Sequence, residues 1–370
     1  MIETHTAVLA PQRKRTKGRG PMSQSSGEPA HRAGGLPGKA SLTDVAKVAG
    51  VSLGTASKAL AGKPGVSDAT RARVRQVADQ LQYAPNPIAQ TLALGRSDSI
   101  GLVTADLQGM FSSPIMVSAQ RELSARGVTV LLANACGDAR LERECVESLL
   151  RHNVGGLLIV DPSTNSRPPI QPDVPVPVVY AYAASSDPND CSITSDNVTA
   201  GKIAVDHLLA CGRRSIAIIC GDVEYRASTE RLKGSVSALA DAGLEPVNIP
   251  RFGYWGARWG REETKRLIDS GVSFDGVICQ SDIIAMGALD ALKAAGRRVP
   301  EDVSVIGHDN WDFVTGNTDP ALTSISNCFE DIGRLAAHRL AEAMDGVPHR
   351  GVDYVQCELV VRDSTVANSN

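Results

Sequence analysis

The 370 residues, 42% apolar and 21% charged, have the composition of an ordinary folded chain with room for two or three domains. The net charge of −3 hides an asymmetry: residues 1–40 carry +5, residues 41–96 carry +4 and the rest carry −12, so the front suits a polyanionic partner and the body does not. With no apolar run long enough for a membrane span or a signal peptide, and eight scattered cysteines lacking C-x-x-C spacing, a membrane, exported, disulfide-stapled or metal-centred protein is not expected.

Residues 1–40, rich in Gly, Pro, Ser and Arg without periodicity, are expected to form a disordered basic tail, in which Met22 offers a second start. From Ser41 the pattern turns helical. Thr43 is placed to cap a short helix whose apolar positions are Val45, Ala46 and Ala49. Gly50 supplies a tight turn, Val51 points inward, and Ser52 caps a second helix through Leu60 with Ala56 and Leu60 facing the core. A third helix opens at Ser67, buries Val74, Val77, Ala78 and Leu81, and turns Arg71, Arg73 and Arg75 outward, a face that an ordinary solvated helix would also show. This is helix-turn-helix spacing. In such a unit the second helix enters the major groove, so Leu53, Gly54 and Thr55 are candidates to read bases, while Thr43, Ser52, Ser57 and Lys58 are candidates to hold the backbone.

From Ser99 onward, short apolar runs (IGLVT, VTVLLAN, GGLLIV, VPVVYAY) alternate with helical patterns. After Asp196 the rhythm restarts around SIAIIC, GVIC and VSVIG. Such alternation predicts an α/β fold of parallel sheets flanked by helices, divided in a chain this long between two lobes. Ligands of these folds bind beyond the carboxyl ends of the strands, in the crevice between lobes. That rule selects Asp106 and Phe111 after the first strand, Ser281 and Asp282 after GVIC, and His308, Asp309 and Asn310 after VSVIG. Arg231 opens a helix in TERLKG, and Trp255 in GYWGARWG is expected after a strand, where an indole can stack on a sugar ring. Plainer roles compete: Asp282 as a helix cap, Asp309 with Asn310 as a turn, Trp255 and Trp259 as packing residues, Arg231 as a surface ion pair. Although Ser281, His308 and Asp309 contain triad chemistry, the chain has no G-x-S-x-G elbow following a strand, no H-E-x-x-H, no P-loop and no G-x-G-x-x-G after a strand, so neither catalysis nor a cofactor nor a metal is expected.

From Ser41 to Thr365, and most specifically at TDVAKVAGVS and DVSVIGHDN, the chain resembles the lac and gal repressor family of bacterial transcription regulators. The resemblance implies a three-helix DNA-binding domain over 41–84, a hinge helix and linker over 85–96, and a two-lobed, periplasmic-binding-protein-like α/β effector and dimerisation domain over 97–370. One lobe would span about 97–193 and 328–352, the other about 194–327 and 353–370. In the hinge, Asn86, Ala89 and Leu92 would contact DNA, with Leu92 as an apolar wedge in the minor groove. A helix so short is expected to order only when two copies pack on DNA. The resemblance also implies that Arg231 of R-L-x-G and Asp309 bond ligand hydroxyls. The implied protein is a cytoplasmic, nucleoid-associated repressor, a homodimer or tetramer on a pseudo-palindromic operator, controlled by a small ligand such as a sugar. A constitutive DNA binder with an unresponsive cleft and a solute-binding protein are the rival readings. The chain departs from the family at Gly54, at Ser281, at His308-Asp309-Asn310 and at Gly109-Met110-Phe111-Ser112, which places the uncertainty on effector identity.

Overall fold

The computed structural model describes residues 40–83, 97–170 and 173–365, and contacts divide the chain into two units at Asn86. The first holds α1 (Leu42–Ala49), α2 (Leu53–Leu60) and α3 (Asp68–Gln80). The cap of α1 is Ser41, not Thr43. Ser41 Oγ accepts from the Asp44 backbone N–H while the Asp44 carboxylate accepts from Ser41 N at 2.9 Å, a reciprocal box that only the Ser-x-x-Asp spacing can close. Thr43 stands exposed in the first turn. Gly50, at φ 64°, ends the helix, and Ser52 and Ser67 cap α2 and α3 as their positions predict. Val45, Ala46, Ala49, Ala56, Ala59, Val74, Val77 and Ala78 form the core, with Val51, Leu60 and Leu81 packed on its margin. Alanines at the crossings let three short helices approach closely enough to exclude water.

The second unit contains two sheets. The first has six parallel strands in the order β10 (Gly351–Val355), β5 (Cys191–Ser195), β4 (Val178–Ala181), β3 (Leu157–Val160), β1 (Ser99–Thr104), β2 (Thr129–Asn134). Its faces are covered by α4 (Ser112–Ala125) and α11 (Phe329–Met344) on one side and α5 (Ala139–Arg151) on the other. The second sheet runs β11 (Glu358–Val360), β9 (Thr323–Ser326), β8 (Ser304–His308), β7 (Gly276–Cys279), β6 (Ile216–Ile219), parallel except for β11. It is flanked by α6 (Asn197–Ala210) and α7 (Arg226–Asp241) on one face and by α8 (Ala257–Asp269) and α9 (Asp282–Ala294) on the other. A further single-turn helix, α10 (Asp312–Thr315), follows β8. Strands such as LLIV, IAII and GVIC are buried on both faces, which is why they are continuously apolar and do not alternate. The chain passes from one sheet to the other after β5, after β9 and after β10, so each lobe draws on both halves of the sequence.

Helices α6 and α7 touch backbone to backbone. A Cβ added at Gly234 would lie 1.9 Å from the Val198 carbonyl oxygen, and one at Gly201 would lie 2.1 Å from that of Arg231. Gly234→Ala must therefore push apart two helices that carry cleft residues, at an expected cost of about 3 kcal/mol. Urea unfolding of the full chain checks this, and an unchanged midpoint would refute the close approach.

Candidate functional site

Four of the seven non-glycine residues with positive φ among the described residues, Tyr182 (76°), Asp309 (102°), Asn310 (55°) and Cys328 (52°), come within two residues of the ends of β4, β8 and β9. Strain of this kind costs on the order of 1–3 kcal/mol per residue and persists where the surroundings dictate it. Here it lines the crevice between the lobes.

Arg231, on the second turn of α7, is buried at 4% exposure. Its guanidinium donates through Nε to Asn197 Oδ1 at 2.9 Å, through Nη1 to the Gln280 carbonyl at 2.7 Å and through Nη2 to Asn327 Oδ1 at 3.4 Å, and it lies 3.8 Å from Asp309 Oδ1. The amide Nδ2 of Asn327 donates to Asp309 Oδ1 at 3.0 Å, and its Oδ1 stands 3.0 Å from His308 Nε2. With Asn327 Oδ1 an acceptor, His308 Nε2 carries the proton. Burial, reinforced by the Arg231 charge, holds His308 well below the usual imidazole range, so the ring is neutral. Burial also raises the Asp309 carboxyl to about 6, outweighing the nearby guanidinium. Asn197, Gln280 and Asn327 were not singled out from the sequence, although each follows a strand by one or two residues and the strand-end rule reaches them.

Asp282 does not cap α9. Ser281, extended at φ −152°, is the cap, its Oγ accepting from Ile284 N at 3.2 Å. Asp282, one residue inside, is fully buried and accepts from Trp311 N at 2.8 Å and from Ser324 Oγ at 2.5 Å. Burial first and the Asp309 charge second push its carboxyl up to about 7. Both oxygens therefore hold protein, and they fix the start of the segment that carries Trp311.

The polar floor adjoins an aromatic wall, since Trp311 and Phe329 follow Asp309 and Asn327 by two residues each. Phe111 lies 5.9 Å from Tyr182, 5.5 Å from Phe329 and 5.5 Å from Trp311, and Trp311 stacks on Phe329 at 5.7 Å and 16°. Trp311 enters from the other lobe. Of these rings only Phe111 is selected by the sequence reading. Asp106 is half-buried, its Oδ1 accepting from Gln108 N at 3.1 Å, and a Cβ at Gly109 would lie 2.5 Å from Asp106 Oδ2, so a larger residue there would displace this carboxylate. The buried hydroxyls Ser112 Oγ and Thr164 Oγ1, beyond β1 and β3, have no hydrogen-bond partner among the described residues. Trp255 does not follow a strand: it lies in a loop that runs beside β6, held there by the Arg251–Ile219 bridge and by hydrogen bonds of Val247 with Ile216 and of Asn248 with Ile218. The half-buried indole lies across Gly221, where a Cβ would be 2.1 Å from the ring, and meets Tyr225 edge-on at 5.7 Å. Trp259 is a packing residue, its Nε1 donating to the Cys220 carbonyl at 2.8 Å.

In the first unit, Leu53 is 51% exposed on the first turn of α2, and Gly54, Ser57 and Lys58 are exposed beside it. A Cβ at Gly54 would meet only Ser52 Oγ, at 4.0 Å, so this face is open. The hydroxyls of Ser52 and Thr55 bond each other at 2.8 Å in the cap. Asn86, Ala89 and Leu92 lie outside the described residues.

Residues 41–86 match the bacterial regulatory proteins of the lacI family, and residues 205–365 match a periplasmic binding protein-like domain. The chain is 33% identical over 334 residues to the HTH-type transcriptional regulator CelR of Thermobifida fusca, covering 87% of this chain and 97% of that protein. It is 32% identical over 338 residues to the HTH-type transcriptional repressor CytR of Escherichia coli (strain K12), covering 89% and 97%. Among solved structures it is similar to the lac repressor dimer bound to operator and the anti-inducer ONPF, with TM-score 0.70 and 27% identity over 89% of this chain and 100% of that one. It is also similar to a CelR–cellobiose complex, with TM-score 0.59 and 29% identity over 88% and 99%.

Proposed function

The chain belongs to the lacI family of bacterial regulatory proteins and is a ligand-controlled, DNA-binding regulator of transcription, and we propose that its cleft takes an uncharged polyhydroxylated ligand with a flat or apolar face, a sugar before a nucleoside. The observation that carries this is the pairing of the Arg231–Asp309–Asn327 floor with the Phe111–Tyr182–Trp311–Phe329 wall. A carboxylate and a guanidinium side by side accept from and donate to vicinal hydroxyls, while aromatic rings cover an apolar ring face. With His308 neutral and Arg231 beside Asp309, the polar floor holds no surplus cation for a phosphate or carboxylate among the described residues. Closure of the lobes on this ligand biases operator affinity, a coupling of about 1–3 kcal/mol.

The same reading makes the protein a homodimer on a pseudo-palindromic operator, with Leu53, Gly54 and Thr55 at base edges, Thr43, Ser52, Ser57 and Lys58 on the backbone, and Asn86, Ala89 and Leu92 in the minor groove. In support, β2 is an edge strand, Leu132 on it is 51% exposed, and a groove of about 550 Å3 runs between β2 and α5, an apolar face suited to a second copy.

A thermal-shift screen of the full chain against neutral sugars, nucleosides and sugar phosphates tests the cleft. A ligand at a hundred times its Kd stabilises by about 2.7 kcal/mol, so an uncharged polyol should raise Tm while its phosphorylated counterpart does not. A response confined to anionic ligands would refute the proposed chemistry, and no response to any of them would favour a constitutive regulator.

A further inference from the structure

We propose that Asn165 is a positioning residue that caps helix α7 from the opposite lobe and so completes the N-terminus of the helix that carries Arg231, with or without a ligand between the lobes. The proposal deepens the ligand-cleft reading and rests on it for its functional meaning.

The first N–H groups of a helix have no partner within it and need outside acceptors. Helix α7 begins at Arg226, and Tyr225, at the cap position, offers no side-chain acceptor. The acceptor comes instead from Asn165, in the loop between β3 and β4 on the other lobe. Asn165 Oδ1 accepts from Arg226 N at 2.7 Å, and Asn165 Nδ2 donates to the Glu224 carbonyl at 2.9 Å. One side-chain amide thus answers both a donor and an acceptor at the mouth of α7.

Both ends of this clasp are anchored. Two residues beyond Asn165, Arg167 is tied to Glu142 at 2.6 Å and to Asp161 at 3.0 Å, and all three side chains are largely buried. On the helix side, Ser228 Oγ lies 2.6 Å from Gln280 Oε1, Gln280 Nε2 donates to the Ser228 carbonyl at 2.9 Å, and the Gln280 carbonyl accepts from Arg231 Nη1 at 2.7 Å. The first turn of α7, Gln280 and the Arg231 guanidinium are therefore one hydrogen-bonded unit whose outer end is supplied by the opposite lobe. Drawing Asn165 away hands Arg226 N and the Glu224 carbonyl to water and loosens the turn that holds Arg231 in register.

Hydrogen exchange on the full chain without ligand tests this, comparing wild type with Asn165→Ala and Asn165→Asp. In the alanine variant, peptides over 222–232 should exchange about five-fold faster, the ratio given by losing a cap of about 1 kcal/mol, while peptides over 257–269 keep wild-type rates. Aspartate retains the acceptor for Arg226 N and should return 222–232 towards wild-type protection. Unchanged exchange over 222–232 in the alanine variant, equal acceleration over 257–269, or no recovery with aspartate would each overturn the proposal. Because no ligand enters the measurement, its failure is distinct from a failure of the ligand screen.

Discussion

Arg231→Ala should abolish the response to effector and lower stability by about 3–5 kcal/mol, the usual penalty for removing one partner from a buried charge cluster. The size follows from what is left behind. Asn197 Oδ1 and the Gln280 carbonyl lose their donor, and Asp309, itself buried, loses the only guanidinium that its surroundings place within 4 Å among the described residues. Lysine should not rescue the site, because a single ammonium cannot reach three acceptors arranged around a planar fork. Urea unfolding measures the stability, and thermal shift with a ligand found in the screen measures the response. A variant with a wild-type unfolding midpoint and intact response would remove Arg231 from the polar floor.

The DNA-reading unit was legible in the sequence because its signals are local: Ser52 and Ser67 precede helical periodicities, and Gly50 marks a left-handed turn. The single misplacement, Thr43 for Ser41, arose where two hydroxyls compete for one cap and only the reciprocal bond from Asp44 decides between them. The strands were legible because burial on both faces demands unbroken aliphatic runs. The cleft was legible on its polar side, where the strand-end rule and the R-L-x-G resemblance converge on Arg231 and Asp309. Its aromatic side was not. Tyr182 sits in VPVVYAY, where it looks like one more strand residue, and only its φ of 76° beyond β4 marks it as a cleft residue. Trp311 joins Phe111 and Phe329 through lobe-to-lobe packing that no local pattern encodes. Ser281 and Asp282 are adjacent and both good caps, so sequence alone cannot say which takes the cap and which is left to hold Trp311 N.

Asp282→Asn should flatten the fall in stability between about pH 4 and pH 7. In the fold, burial and the Asp309 charge raise the Asp282 carboxyl from its ordinary 3.8 to about 7. An unfolded chain releases this proton near pH 4, whereas the folded chain retains it until about pH 7, so the unfolded state is favoured progressively as pH climbs through that interval. Asp309, raised to about 6, acts in the same direction over a lower interval. His308 has the opposite sign: held neutral in the fold, it penalises the folded state only as pH drops below the ordinary imidazole value of 6.5. Among these cleft groups, Asp282 therefore dominates the slope above pH 6.5. Arg362 is the cation that pulls on its charge. Asparagine keeps an oxygen for Trp311 N and removes the ionisation, and its amide can donate to a reoriented Ser324 hydroxyl. Melting curves of both proteins at pH 5.5, 6.5 and 8 check this. Wild type should lose more stability than the asparagine variant between pH 5.5 and 6.5, with a smaller further loss by pH 8, and parallel pH profiles would show that Asp282 titrates as an ordinary carboxylate. Since the same carboxylate fixes Trp311 N, its ionisation above pH 7 also strengthens the anchor of the ring that bridges the two lobes.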